Sequence, residues 1–234
     1  MKLCSKERNA RQRPERSAVL LRQLMVVISV LVSACAHHNL PSDNDIQRIT
    51  QQATAVRNQD QHIRSQLQHY LQLHLEQHPL SDSSNSAAVK ELWQQQQALD
   101  ERNRRWAAEV LNTWGWPSKK RFDDVVARSL FLVIQHADVE FQQRFFPLVE
   151  QAVHKGDLDR PALALLTDRM LVNQGKPQRY GTQLQKEGDA ALQFYPIEQP
   201  EQVDRRRATM GLGTLHEYAD QLGIIWQPSN TEIE

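Results

Sequence analysis

His136 and Asp138 stand two residues apart in Gln135-His136-Ala137-Asp138, at the end of a long apolar segment, and Asp168-Arg169 lies inside another. A histidine can take and return a proton near neutral pH, and a carboxylate can orient its ring or bind a metal. Downstream, Gln178, Tyr180, Gln183 and Arg207 could hydrogen-bond a ligand or stabilise developing negative charge. On that reading His136 is a general base and Asp138 or Asp168 orients it. No nucleophile accompanies them: the chain has no Gly-x-Ser-x-Gly, no His-Glu-x-x-His and no phosphate-cradling glycine loop. His136 and Asp138 reach one metal only if the helix ends between them, so no metal-ligand set is assigned and the cofactor stays open. The plainer alternative makes each group structural, with Asp138 capping a helix, His136 an interior histidine, and Asp168 paired with an arginine.

The elements that must position these groups read as helices. From Ser42 to His78 apolar residues fall at Ile46, Ile49, Ala53, Val56, Ile63, Leu67 and Tyr70, in alternating threes and fours except where Asp60 interrupts. That is one stripe of an amphipathic helix, with Ser42 as a natural N-cap and Asp43 and Asp45 in the first turn. Pro79 and the polar run Ser81 to Ser86 stop it. Leu92, Leu99, Trp106 and Val110 mark a second helix that ends near Gly115-Trp116-Pro117, and the two could form an antiparallel hairpin. Gln94 to Gln97 read as its solvated face.

In Asp123 to Ala137, Val125, Val126, Leu130, Phe131 and Ile134 cover nearly all directions, and Leu163 to Val172 behaves the same way. A helix apolar all round is buried on all sides, so both are expected in the core, with amphipathic Phe141 to Val153 between them. A helical projection sets Asp168 among Ala164, Leu165, Leu171 and Val172. A buried carboxylate needs a partner, for example Arg179, Arg207 or His136. Leu184 and the run Leu192 to Ile197, either side of Lys186 to Asp189, read as a short β-hairpin. Gly181 marks a place where the backbone comes close to a neighbouring element or a ligand. Pro200-Glu201 opens a helix through Ala208, and a last one runs from Thr214 to Gln221. The expected fold class is mainly α, an irregular helical bundle with one short β-hairpin. A single domain spans 46–226, with a polar loop near 79–86 and a tail at 227–234.

The first 34 residues resemble a bacterial lipoprotein signal peptide. A basic start (Lys2, Lys6, Arg8, Arg11, Arg13, Arg16, Arg22) precedes an apolar stretch from Leu24 to Val32 and then Leu31-Val32-Ser33-Ala34-Cys35. A spanning helix needs about 20 apolar residues, roughly twice the uninterrupted run before Cys35. The resemblance implies lipidation of Cys35, as by palmitate, a tether over 35–45, and a lipid-anchored place in the bacterial cell envelope. Ala36 in place of aspartate implies the outer membrane, facing the periplasm. Loss of the basic start turns a formally neutral chain into a mildly acidic body, which argues against a nucleic-acid partner. The remaining cysteine, Cys4, lies in the removed segment, so no disulfide and no cysteine nucleophile is left. The expected partners are the membrane through Cys35 and a small-molecule or envelope-protein ligand.

A second resemblance spans roughly residues 50–226. Asp60-Gln61 with Arg64, Asp100 with Asn103, Gly115-Trp116-Pro117, Gln135-His136-Ala137-Asp138, Asp168-Arg169, Gln178 with Tyr180-Gly181-Thr182-Gln183, and Arg207-Ala208 before Gly211-Leu212 form an ordered series. It is similar to the motif series of an uncharacterised bacterial family, domain of unknown function 6624. That family brings no assigned activity. Two functions are therefore expected from the residues alone: a ligand-binding or scaffolding envelope lipoprotein, and, as the alternative, a hydrolase-like enzyme with a His/Asp/Tyr/Gln/Arg site.

Overall fold

Ser42 begins the first helix as its periodicity requires, and Asp45 closes the cap: the Asp45 amide donates to Ser42 Oγ, while the Ser42 amide and hydroxyl donate to Asp45 Oδ2. In the computed structural model, which describes residues 40–77, 87–186 and 191–226, this helix α1 spans Asp43–Gln77. It starts inside the stretch expected as tether. The segment read as an export signal, with Cys35, the polar run from Ser81 to Ser86, most of the hairpin turn and the tail at 227–234 lie outside the described residues. Ile49, Ala53, Val56, Asp60, Ile63 and Leu67 are all buried, so Asp60 does not break the stripe but occupies one of its positions. Helix α2 (Ala87–Trp114) answers with Leu99, Trp106 and Val110, and also with buried Gln96 and Asn103. Gln96 therefore corrects the reading of Gln94 to Gln97 as uniformly solvated.

Helix α3 (Asp124–His136) is capped by Asp123, whose carboxylate accepts from the Val125 amide. It packs on α1 and α2 and on the next two helices, which makes it the central element and explains why its sequence is apolar on nearly every side. Ser129 Oγ donates to the Ala53 carbonyl at 2.8 Å and ties α3 to α1. Ala137 is extended and stops α3. Asp138 then caps α4 (Val139–Lys155) by accepting from the Phe141 amide. Gly156, left-handed at φ 77°, ends α4. Helix α5 (Arg160–Asn173) buries only Ala164, Leu166 and Asp168. Leu163, Leu165 and Met170 are half-buried, because α5 lies against α3 and α4 at the flank of the bundle, not at its centre.

Strands β1 (Leu184–Gln185) and β2 (Gln193–Phe194) pair antiparallel with Leu184 opposite Phe194, and Gln178 bridges Ile197 beside them. A 3₁₀ turn at Pro200–Gln202 leads into α6 (Val203–Thr209), and α7 (Leu215–Gln221) starts from a Thr214–Glu217 capping box. The fold is mainly α, with seven α-helices and one two-stranded hairpin among the described residues. Ile49, Leu130, Ile134, Phe145, Val149 and Leu166 form the heart of the apolar core. Among the described residues no helix is long and apolar enough to cross a membrane.

Candidate functional site

The polar residues of the motif series sort into two centres. The first is a clamp on the loop after α5. Asp168 is fully buried, and its two oxygens accept from the amides of Arg179 (2.7 Å), Tyr180 (3.1 Å) and Thr182 (3.0 Å) and from the Thr182 hydroxyl (2.9 Å). The partner expected for Asp168 is an arginine or histidine side chain. The structure supplies backbone instead, because a tight loop at Tyr180-Gly181-Thr182 turns successive N–H groups toward one carboxylate. Burial, the largest influence, pushes the Asp168 carboxyl up against the pull of those donors.

Gln178, equally buried, commits its side-chain amide to the same loop. Its Nε2 donates to the Gln183 and Tyr195 carbonyls, and its Oε1 accepts from the Gln183 amide. Arg207 closes the clamp from α6, donating to the Tyr180 and Gly213 carbonyls with its guanidinium over the Tyr218 ring at 5.2 Å. Gly181 holds φ at +67°, and a Cβ there would stand 2.7 Å from Leu215 Cδ1. The neighbour expected at this glycine is thus α7.

The second centre lies where α1, α2 and the end of α3 meet. Asp60, 2% exposed, accepts from Arg64 Nε at 3.0 Å and Gln61 Nε2 at 2.9 Å, and Arg64 Nη2 reaches on to Asp100 at 2.8 Å. His136 Nδ1 stands 3.5 Å from Asp60 Oδ1, an ion-pair distance without hydrogen-bond geometry. Burial is the largest influence on the Asp60 carboxyl and opposes its ionisation. His136 and Arg64 together outweigh it and hold the group below the usual carboxylate range. A cavity of ≈ 10 Å³, room for a single water, is lined by Asp60, Asp100, Asn103 and His136.

Arg169 joins this centre from α5, donating from Nη1 to the Gln135 carbonyl (2.8 Å) and from Nε to Gln183 Oε1 (3.3 Å). Burial first, and the like charge of Arg64 second, hold its guanidinium below its ordinary value. Unlike the clamp, this centre is under-satisfied. Asn103 Nδ2, Gln135 Oε1 and His136 Nδ1 are buried without a hydrogen-bond partner among the described residues.

The expected site residues therefore divide. Asp168, Gln178, Arg207 and the backbone of Tyr180 belong to the clamp. His136 belongs to the second centre. Gln183 bridges the two, with its backbone in one and its side chain on Arg169 in the other. Asp138 holds its carboxylate on the α4 cap and stands on a separate groove with Arg105 and Arg144. The carboxylate beside His136 is neither Asp138 nor Asp168 but Asp60. Sequence reasoning lists Asp60 in the motif series but gives it no role at the site and treats it as an interruption of the stripe, although a charged residue at a stripe position is the available signal. Among the described residues no three His, Cys, Asp or Glu side chains are arranged to hold a metal ion.

Beside the second centre a groove of ≈ 490 Å³ runs along α1 and α2, lined by Arg64, Leu67, Leu71, Trp93 and Gln96 among others. Arg64 thus faces the groove while bridging Asp60 and Asp100. These features define the chain as a mainly α domain with one saturated polar clamp and one under-satisfied polar centre. It belongs to the family described as Family of unknown function (DUF6624), which matches residues 47–226. Comparison with the curated proteins and with the solved structures finds no match to this chain.

Proposed function

We propose that this chain is an envelope lipoprotein whose helical domain binds a small ligand with an apolar body and a polar end. The groove on α1 and α2 takes the body, and the centre of Arg64, His136 and Arg169 takes the polar end. One observation carries this reading: Arg64 joins a ≈ 490 Å³ groove, of the size small ligands occupy, to buried polar atoms that lack partners. The lipid anchor rests on the Cys35 segment alone. Palmitate incorporation into the chain, abolished by Cys35→Ser, tests it. For the ligand, a small-molecule screen read by the stability of the full chain tests the groove. A hit is expected to lose its effect in Leu71→Glu, and a screen in which no compound stabilises the chain contradicts the reading.

A hydrolase is the second reading, favoured by the His136–Asp60 contact. There Asp60 orients the ring, and His136 takes the proton of an attacking water. Turnover of any screened ester or amide that disappears in both His136→Ala and Asp60→Asn supports it. Binding without turnover leaves the first.

A further inference from the structure

We infer that Arg169 and Arg64 form the head-group site for an oxyanion, a carboxylate or a phosphate, carried on an apolar body lying along Leu67, Leu71 and Trp93. This rests on the ligand-binding reading above and names the charge of the ligand's polar end. The ion pairing of the two arginines sets the sign. Arg64 is balanced by Asp60 and Asp100, at 3.0 and 2.8 Å, whereas Arg169 makes no ion pair among the described residues. Its neighbour in sequence, Asp168, is turned into the loop clamp and is fully engaged there. Arg169 is thus the guanidinium of the two that no carboxylate engages among the described residues.

The count of donors agrees. A guanidinium carries five N–H groups. Arg169 directs Nε to Gln183 Oε1 and one Nη1 hydrogen to the Gln135 carbonyl, and Arg64 directs Nε and one Nη2 hydrogen to its carboxylates. The rest of both forks has no partner among the described residues, and planar forks of this kind match carboxylate and phosphate oxygens. The two arginines are linked through the centre itself: Arg64 to Asp60, Asp60 to His136, and the Gln135 carbonyl next to His136 to Arg169. The like charge of Arg64 acts on the Arg169 guanidinium, and an oxyanion between the two forks would offset it. Gln183 fixes the Arg169 fork and serves as a positioning residue.

The test uses the full chain in lipid nanodiscs and four probes with the same six-carbon body: hexanoate, hexyl phosphate, hexanol and hexylamine. Binding is followed at matched ionic strength by the NMR signals of the His136 ring. Hexanoate or hexyl phosphate is expected to shift those signals saturably and to bind at least about tenfold more tightly than hexanol. The tighter of the two oxyanions identifies the head group. Arg169→Gln should weaken the oxyanion about tenfold and leave hexanol unchanged, with Arg169→Lys between them. If Arg169→Gln does not fold, the ratio of oxyanion to hexanol on the native chain decides alone. Hexanol or hexylamine binding as tightly as the oxyanions overturns the inference and leaves the ligand-binding reading standing. No saturable shift from any probe overturns both.

Discussion

Asp168 and Asp60 are both carboxylates sealed inside the protein, yet their surroundings differ in kind. Asp168 accepts from three amides and a hydroxyl of a single loop, so its neighbours are satisfied and fixed by the backbone. Among the described residues Asp60 meets only side chains, from Gln61, Arg64 and His136, and the atoms next to it include buried donors and acceptors without a hydrogen-bond partner. A network closed by backbone stabilises a fold. One closed by side chains, with capacity to spare, is available to something else. The residues of the motif series therefore fall into two differently built networks, and residue type alone does not say which residue belongs to which.

The sharpest way to break this division is to remove the clamp. Asp168→Ala removes the buried carboxylate that three loop amides and a hydroxyl share and is expected to cost about 3–5 kcal/mol in equilibrium urea denaturation. Gly181→Ala attacks the same loop through its backbone. A Cβ at φ +67° and 2.7 Å from Leu215 should cost about 2 kcal/mol or more, read the same way. At the second centre, His136→Ala removes a ring that makes no well-formed bond to Asp60, so the loss should be about 1 kcal/mol or less.

The smallest effect concerns acid. Asp60 is held below its ordinary value of 3.8, so the folded chain binds that proton more weakly than the unfolded chain does. Its contribution is complete above the ordinary value and is lost as pH falls through the folded one. The stability gap between the native chain and Asp60→Asn should accordingly narrow below about pH 4 in a pH series of urea melts.

The fold was legible where periodicity alone decides. The stripe from Ile46 to Tyr70, the cap at Ser42, the core character of α3 and the hairpin about Lys186 all follow from spacing and turn chemistry. The site was legible only in its parts. Asp168 is expected inside, and it is, but its partners are amides 11 to 14 residues downstream whose direction depends on a left-handed glycine. Gln178 looks like a ligand contact because amide side chains carry no mark of whether they face backbone or solvent. Asp60 enters the motif series without a role, because a charge on an apolar stripe reads as a flaw until α2 and α3 bring Asp100 and His136 near it from distant parts of the chain. Arg169 follows Asp168 directly and so points about 100° further round the helix, and that separation assigns the two adjacent residues to different centres.

Paired urea denaturation of Asp168→Ala and His136→Ala in one buffer bears on this division more directly than any other experiment. The expected outcome is a midpoint far below native for Asp168→Ala and close to native for His136→Ala. A His136→Ala midpoint as low as that of Asp168→Ala would mean that the second centre also holds the fold together, and that the two are one structural network.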